Sequence, residues 1–392
     1  MTPILRLQPG RDRRVKSGHP WAFSNEIVMD AAARALPPGS AIRLEGDDGV
    51  KHGIWQFNPH SLIAARILDR ASTTAPDAAW FQARLARALA LRERLGLARF
   101  CRLVHAEADG LPGLVVDRFD DVIALQANTA GMEAATPLIV EALRNLLSPR
   151  SILARNDSAV RALEGLPLET KLLHGTEARA RVDEGDLAFE VDLLSGQKTG
   201  WFFDQRENRA RVAALALNAT LLDAFCHTGG FGLLAAKAGA REVTLLDRSQ
   251  PALELAIASA AANGLSGRVA AQKGEALETL ERMVGGQRRF DIVVADPPAF
   301  AKSRKDIPAA LRAYQRLARI CAQLVNPGGF LFIASCSHHA APPEFAAAVA
   351  EGVWRARREA RLLASTGAGP DHPVHPMLPE SAYLKAQLLQ LA

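Results

Sequence analysis

Thr220-Leu221-Leu222-Asp223-Ala224-Phe225, followed by Cys226-His227-Thr228-Gly229-Gly230-Phe231-Gly232, is the stretch on which the fold turns. Its first six residues are apolar apart from Thr220 and Asp223, the composition of a strand covered on both faces. Glycines at 229, 230 and 232 suit a backbone that must take positive φ or approach a ligand closely. Leu233 to Ala238 then continues as a helix. Strand, glycine turn and helix in that order form the unit of a parallel sheet that binds a nucleotide-like ligand at its carboxyl edge. Gly230-Phe231-Gly232-Leu233-Leu234-Ala235 also satisfies the dinucleotide fingerprint. The turn alone therefore leaves a nicotinamide or flavin dinucleotide and S-adenosylmethionine both open. Asp223 stands just before the turn, where it either bonds a donor's amino group or orders the glycines.

Downstream, Glu242-Val243-Thr244-Leu245-Leu246 reads as the next strand and ends in Asp247, placed to accept from both ribose hydroxyls of an adenosine. Ser249 caps a helix with Pro251 in its first turn; Leu253, Ala256, Ile257 and Ala260 give its apolar face and Asn263-Gly264 ends it. After a third strand comes Gln272-Lys273-Gly274-Glu275-Ala276, where Glu275 is assigned to the adenine amino group. Phe290 to Ala295 is an apolar strand ending in Asp296-Pro297-Pro298, and the prolines present Asp296 rigidly at the sheet edge. Asn326-Pro327-Gly328-Gly329 makes a tight turn into Phe330 to Ala334, after which Ser335-Cys336-Ser337-His338-His339 puts a cysteine on the same edge.

A thiol in such polar surroundings suits a nucleophile. Asp296 and Cys336 together point to pyrimidine chemistry. C5 of a pyrimidine is a poor nucleophile until a thiolate adds at C6, and Asp296 would hold ring N3 and the exocyclic amine as the adduct forms.

The remaining sequence sets bounds. At 392 residues with 48% hydrophobic content the chain can fill more than one core. No run of apolar residues is long enough for a membrane helix, and the first residues lack a signal-peptide core, so a cytoplasmic protein is expected. Cys101, Cys226, Cys321 and Cys336 show no metal-ligand or disulfide spacing, so no metal is expected. Net charge is +5, which permits a polyanionic partner without requiring one. Arg6, Arg11, Arg13, Arg14 and Lys16 make one basic cluster, and Arg355, Arg357, Arg358 and Arg361 a second.

Residues 1 to about 70 read as a small β-rich unit, with strands at Ala41 to Leu44 and Leu62 to Leu68 between turn signals. Ala78 to Leu97 has helical spacing, and Gly113 to Asp117 with Val122 to Gln126 forms a hairpin through Arg118-Phe119-Asp120-Asp121. A helix at 133 to 147 and a strand at Ser151 to Ala154 follow. From about 185 strands alternate with alanine-rich helices. Residues 195 to 211 read as a polar loop entering a helix, with Lys198, Arg206 and Arg209 as contacts to phosphate or carboxylate.

Three motifs carry a resemblance over nearly the whole length. Arg11-Asp12-Arg13-Arg14-Val15-Lys16-Ser17-Gly18-His19-Pro20-Trp21-Ala22-Phe23, Glu107 to Asp117, and Gly196-Gln197-Lys198-Thr199-Gly200-Trp201-Phe202-Phe203-Asp204-Gln205-Arg206-Glu207-Asn208-Arg209 are similar to segments of the PUA-domain-containing, S-adenosylmethionine-dependent cytosine-5 methyltransferases of large-subunit ribosomal RNA. The resemblance implies an α/β protein in three parts: a PUA-like barrel over 1–72, a central α+β domain over 73–180, and a Rossmann-like methyltransferase domain with a mostly parallel sheet over 181–392. It implies S-adenosylmethionine as cofactor, held by Gln197, Phe203, Arg206, Asn208, Asp223, Phe225, Thr228, Gly229, Gly230, Asp247, Glu275, Asp296 and Pro297. It implies RNA contacts from Arg11, Arg13, Arg14, Lys16 and Lys198, catalysis by Cys336 and Asp296, no membrane partner, and an assembly that includes the option of a homodimer.

Two departures bear on the chemistry. Two-cysteine enzymes place a second cysteine after the Asp-Pro turn, where Ala299 stands here, leaving His338 and His339 as candidates for the product-release base. Uracil-5 enzymes typically follow the cysteine with Asn-Pro, whereas Ser337-His338 favours cytosine. Uracil-5 or guanine-N methylation, and a non-catalytic RNA-binding protein with a retained donor fold, are the competing readings.

Overall fold

The computed structural model describes residues 2–194, 200–301 and 303–392. It divides into two compact units, the first comprising Met1–Ala180, Asp192–Phe203 and Pro370–Pro379, the second Arg181–Val191, Asp204–Gly369 and Glu380–Ala392.

The first unit holds two five-stranded sheets. Strands β1 (Ile4–Arg6), β2 (Trp21–Ala22), β3 (Ser40–Glu45), β4 (Lys51–Phe57) and β5 (Ala65–Asp69) pair in the order β1-β3-β4-β5-β2 around a core of Ile42, Leu44, Trp55 and Phe57. β3 buries alternate residues, as a half-buried strand should, but β4 is buried on both faces and so shows no alternation. The apolar run at 62 enters β5 only at Ala65. Asn58 accepts from the His60 amide at 3.0 Å, and its own amide donates to Ala64 O at 2.8 Å, so 58–64 is a turn that leaves Leu62 exposed.

The second sheet contains β6 (Phe100–His105), β7 (Leu114–Phe119), β8 (Val122–Ala127), β9 (Ser151–Asn156) and β10 (Glu169–His174) in the order β10-β9-β8-β7-β6. Helix Ala78–Arg94, capped by the Asp77 carboxylate on the Trp80 amide, and helix Thr136–Leu147 supply Phe81, Leu85, Ile139 and Leu143 to its core. The helix expected at 133–147 is two: Thr129 caps a short one at Ala130–Ala134, and a second begins at Thr136 with Pro137 in its first turn. The β7–β8 turn is tighter than its sequence implies, because Arg118 and Phe119 stay in the strand and Asp120 takes φ 56°.

The second unit opens with the two-stranded sheet of β11 (Arg179–Glu184) and β12 (Leu187–Asp192). Its main body has seven strands, β13 (Thr220–Ala224), β14 (Glu242–Asp247), β15 (Val269–Lys273), β16 (Phe290–Ala295), β17 (Val325–Ser335), β18 (Ala360–Thr366) and β19 (Lys385–Leu391), in the order β15-β14-β13-β16-β17-β19-β18. β13 to β17 run parallel, and β19 is antiparallel to both β17 and β18. The alternation expected from about 185 begins at β13. Asn326-Pro327-Gly328-Gly329 lies within β17 as a bulge, since pairing with β16 resumes on both sides, Phe290 with Val325 and Ile292 with Phe330. Helix Gln250–Ala262 has the expected Ser249 cap, but Ile257 faces solvent rather than the core.

The chain leaves β13 toward β14 on one side and returns to β16 on the other. The carboxyl ends of β13 and β16 therefore flank the point where strand order reverses, where open α/β sheets bind ligands. Among the described residues, no helix is long and apolar enough to cross a membrane.

Candidate functional site

The glycine turn is built from the strand outward. Phe225 and His227 take φ 62° and 51°, unusual for residues with side chains, and Gly229 takes φ 79° as the cap of helix Gly230–Lys237. A Cβ on Gly229 would lie 3.1 Å from Leu245 Cδ1 and 3.2 Å from Ala256 Cβ, so the turn is pressed close onto the sheet. Two acids hold it there. Asp223 Oδ2 accepts from the Gly232 amide at 2.9 Å, and Asp247 Oδ2 accepts from the His227 amide at 2.9 Å. Asp247 Oδ1 also accepts from Ser249 N at 2.8 Å. Thr228 is buried with its hydroxyl 3.3 Å from His227 Nδ1, and Phe225 packs against the core below. Of the two roles open to Asp223, the structure shows the ordering of the glycines.

Burial, helped by the charges of Asp296 and Asp247, pushes the Asp223 carboxyl up to about 7 against the pull of the Gly232 amide. The carboxylates of Asp247 and Asp296 thus bear on Asp223 around a single backbone turn. That charge repels a dinucleotide's pyrophosphate and suits a ligand bearing a sulfonium and an amino group.

On the other side of the switch point, the Asp296 amide donates to Ala224 O at 3.4 Å, which ties the end of β16 to the end of β13. Gln205 Nε2 donates to Asp296 Oδ2 at 2.9 Å, and Asn208 Nδ2 donates to Gln205 Oε1 at 2.7 Å. Asn208 is buried and also joins Thr366 Oγ1 and Gly367 O, at 2.7 and 3.3 Å. It therefore orders the loop that carries Gln205. Pro297 is buried and its carbonyl faces the Cys336 thiol, with Sγ 4.0 Å from the oxygen.

Cys336 is the only one of the four cysteines that is not buried. Burial drives the thiols of Cys226 and Cys321 up, the latter to about 12, which keeps them protonated and inert. Behind Cys336, Tyr314 OH receives Ser335 Oγ at 2.8 Å and lies 2.8 Å from Ser337 Oγ, which in turn accepts from Ala301 N at 3.3 Å. The buried Lys385 ammonium donates to the carbonyl of Ser337. Tyr383 OH donates to Asp204 Oδ2, and its ring lies 5.2 Å from that of exposed His338.

Other expected site residues lie elsewhere. Phe203 belongs to the first unit, its ring centroid 5.2 Å from that of Phe119. Arg209 is buried in a two-pronged bond to Glu184, at 2.6 and 2.7 Å, so the carboxylate it contacts is the chain's own; Arg206 Nε is 3.7 Å from the same group. Glu275 is exposed at the start of helix Ala276–Gly285 and makes no capping bond. Gln197 and Lys198 lie outside the described residues. In the amino-terminal basic cluster, Lys16 bonds Asp12 and Asp48, and Arg14 pairs with Glu26 at 3.2 Å. Arg11 and Arg13 are exposed. In the later basic run, Arg358 donates to Ala322, Val325 and Asn326 carbonyls and so serves the fold.

Sequence reasoning missed Gln205, Tyr314, Tyr383 and Lys385. One signal was available, since Tyr314 and Tyr383 are the chain's two tyrosines.

Residues 120–390 match the model of the S-adenosylmethionine-dependent methyltransferases, and residues 5–70 that of the PUA-like domain. The chain belongs to the S-adenosylmethionine-dependent methyltransferase family. This methyltransferase is 35% identical to ribosomal RNA large subunit methyltransferase I of Aliivibrio fischeri, over 98% of each chain. It is 37% identical to the Shewanella denitrificans protein of the same name, over 97% of each. A solved structure described as a methyltransferase from Streptococcus mutans shares the fold, with a TM-score of 0.81 at 18% identity over 99% of this chain and 100% of that one. The family's cofactor is S-adenosylmethionine, and the close-set glycine turn and the three carboxylates around it fit that cation.

Proposed function

We propose that this methyltransferase modifies C5 of a cytosine in large-subunit ribosomal RNA through a covalent adduct at Cys336. The observation that carries the reading is the placement of Cys336 beside the Pro297 carbonyl at the carboxyl edge, next to the strand that Asp296 follows. The names of the two curated relatives support large-subunit ribosomal RNA as the substrate.

Cys336 adds as a thiolate to C6, and the electron pair of the C5–C6 double bond moves to C5. S-adenosylmethionine, held by Asp223, Phe225, Thr228, Gly229, Gly230, Asp247, Asp296 and Pro297, supplies the methyl that C5 takes up. The C5 proton then leaves to a base, for which exposed His338 is the candidate, and expulsion of Cys336 restores the double bond. Asp296 accepts from the exocyclic amine and from N3–H once N3 has taken a proton from solvent, a proton that N3 gives back as Cys336 leaves, while Gln205 fixes one of its oxygens. A paired target must first leave the stack. Gln197, Phe203, Arg206, Asn208 and Glu275 complete the proposed donor set, with Asn208 acting through Gln205. Arg11, Arg13, Arg14, Lys16 and Lys198 are the proposed RNA contacts, within a functional division at 1–72, 73–180 and 181–392.

The test is to incubate the protein and donor with ribosomal RNA transcripts, digest to nucleosides and identify the product by mass spectrometry. 5-Methylcytidine is expected; 5-methyluridine or an N-methylguanosine would replace the proposal with its competitor.

A further inference from the structure

Lys385 is a buried cation that the chemistry above does not use. It stands on β19 directly across the ladder from Ser335, the residue before Cys336, and its ammonium donates to the carbonyl of Ser337, the residue after it. A second bond runs to Tyr383 O at 3.2 Å. Both partners are neutral. Among the described residues no carboxylate pairs with this ammonium, and Lys385 as a whole is only 6% exposed. A buried ammonium surrounded by neutral dipoles is costly, and a thiolate beside it would offset that cost where a neutral thiol would not.

We infer that Lys385 is the cation that holds Cys336 as a thiolate, a positioning residue that acts through the nucleophile and does not touch the substrate. The inference rests on the proposed role of Cys336. The proton leaves Sγ for solvent, and the ion pair forms between Sγ and the Lys385 ammonium already in place. Burial lowers the pKa of Lys385, and the charge of Cys336 works against that shift. The other groups facing this corner are Tyr314, Tyr383, His338, Asp204 and Asp296. Burial keeps Tyr314 protonated, and the two carboxylates oppose a thiolate, so the ammonium is the group that reverses their effect.

The experiment is alkylation of the full chain by iodoacetamide as a function of pH, with the Cys336 peptide read by mass spectrometry. Buried Cys101, Cys226 and Cys321 serve as slow internal references. The wild-type midpoint is expected below the ordinary thiol value of about 8.5. Lys385→Met should raise it by about one to two pH units, and Lys385→Arg should recover most of the shift. A wild-type midpoint at or above the ordinary value overturns the inference even if Lys385→Met does not fold. An unshifted midpoint in folded Lys385→Met overturns it as well. Neither result bears on whether Cys336 forms the RNA adduct. Conversely, a Cys336→Ala protein that still methylates RNA would remove the proposed function and leave the alkylation result standing.

Discussion

In the first unit Arg92, fully buried, makes a two-pronged bond to Asp109 at 2.6 and 2.9 Å, and Arg102 does the same with Asp117 at 2.5 and 3.1 Å. Arg161, also buried, pairs with Glu133 at 2.9 Å. At the carboxyl edge of the seven-stranded sheet the buried ionisable groups are set differently. Asp223 faces one backbone amide, and Lys385 faces two carbonyls. Charges closed against each other fix a shape and can do little else. Charges set against neutral dipoles keep the capacity to change state or to meet an incoming one, which is what a reacting site requires.

The largest effect expected from this contrast is at the edge. Cys336→Ala should lower RNA methylation by about a thousandfold or more, while calorimetry shows donor affinity within a few fold of wild type. Loss of donor binding would mean that the thiol shapes the turn and is not the nucleophile.

In the first unit the effect should be on folding instead. Arg92→Met leaves Asp109 buried without its partner and should cost about 3–5 kcal/mol in urea unfolding. A cost under about 1 kcal/mol would break the contrast, because the pair would then not be structural.

pH should move the two regions in opposite directions. Asp223 binds a proton up to about pH 7 in the native state but only to about 3.9 when unfolded, so stability falls as pH rises between those values. Asp223→Asn should therefore stabilise the donor-free protein near neutrality, by at most about 4 kcal/mol, and give no gain near pH 4. His105, held down to about 2 mainly by burial in the first unit, titrates near 6.5 when unfolded. Its contribution is complete above about pH 6.5 and is lost as pH falls, so His105→Gln should flatten the acid limb. Urea midpoints across pH for both variants read the two slopes directly.

The smallest effects belong to the amino-terminal surface. Arg11→Ala and Arg13→Ala should each weaken RNA binding a few fold and reduce the salt slope by about 0.7–0.9. Lys16→Ala should do less, because Lys16 already bonds Asp12 and Asp48. Equal effects at all three would show that RNA displaces those acids.

The sequence made the sheet edge legible because the groups there are local signals: an acid closing a strand, glycines after it, a double proline, a cysteine after an apolar run. Asp223, Asp247, Asp296 and Cys336 were all found that way. Gln205, Tyr314 and Lys385 were not, since each reaches the edge from another element through a contact that spacing cannot express. Gln205 meets Asp296 across 91 positions, and Lys385 meets Ser337 across 48. β4 escaped detection because burial on both faces erases alternation, and the carboxylate that Arg209 meets could not be named from the sequence because Glu184 lies in a different segment. Residues 370–379 group with the first unit through Asp371, whose carboxylate accepts from Arg102 N at 3.0 Å and whose carbonyl accepts from Arg92.

The central claim is that Cys336 bonds covalently to a cytosine during methyl transfer. RNA containing 5-fluorocytidine blocks loss of the C5 substituent, so protein, donor and this RNA should give a stable complex whose cross-link maps by mass spectrometry to Cys336. An adduct that persists in Cys336→Ala, or full turnover with no adduct in the wild type, would contradict it.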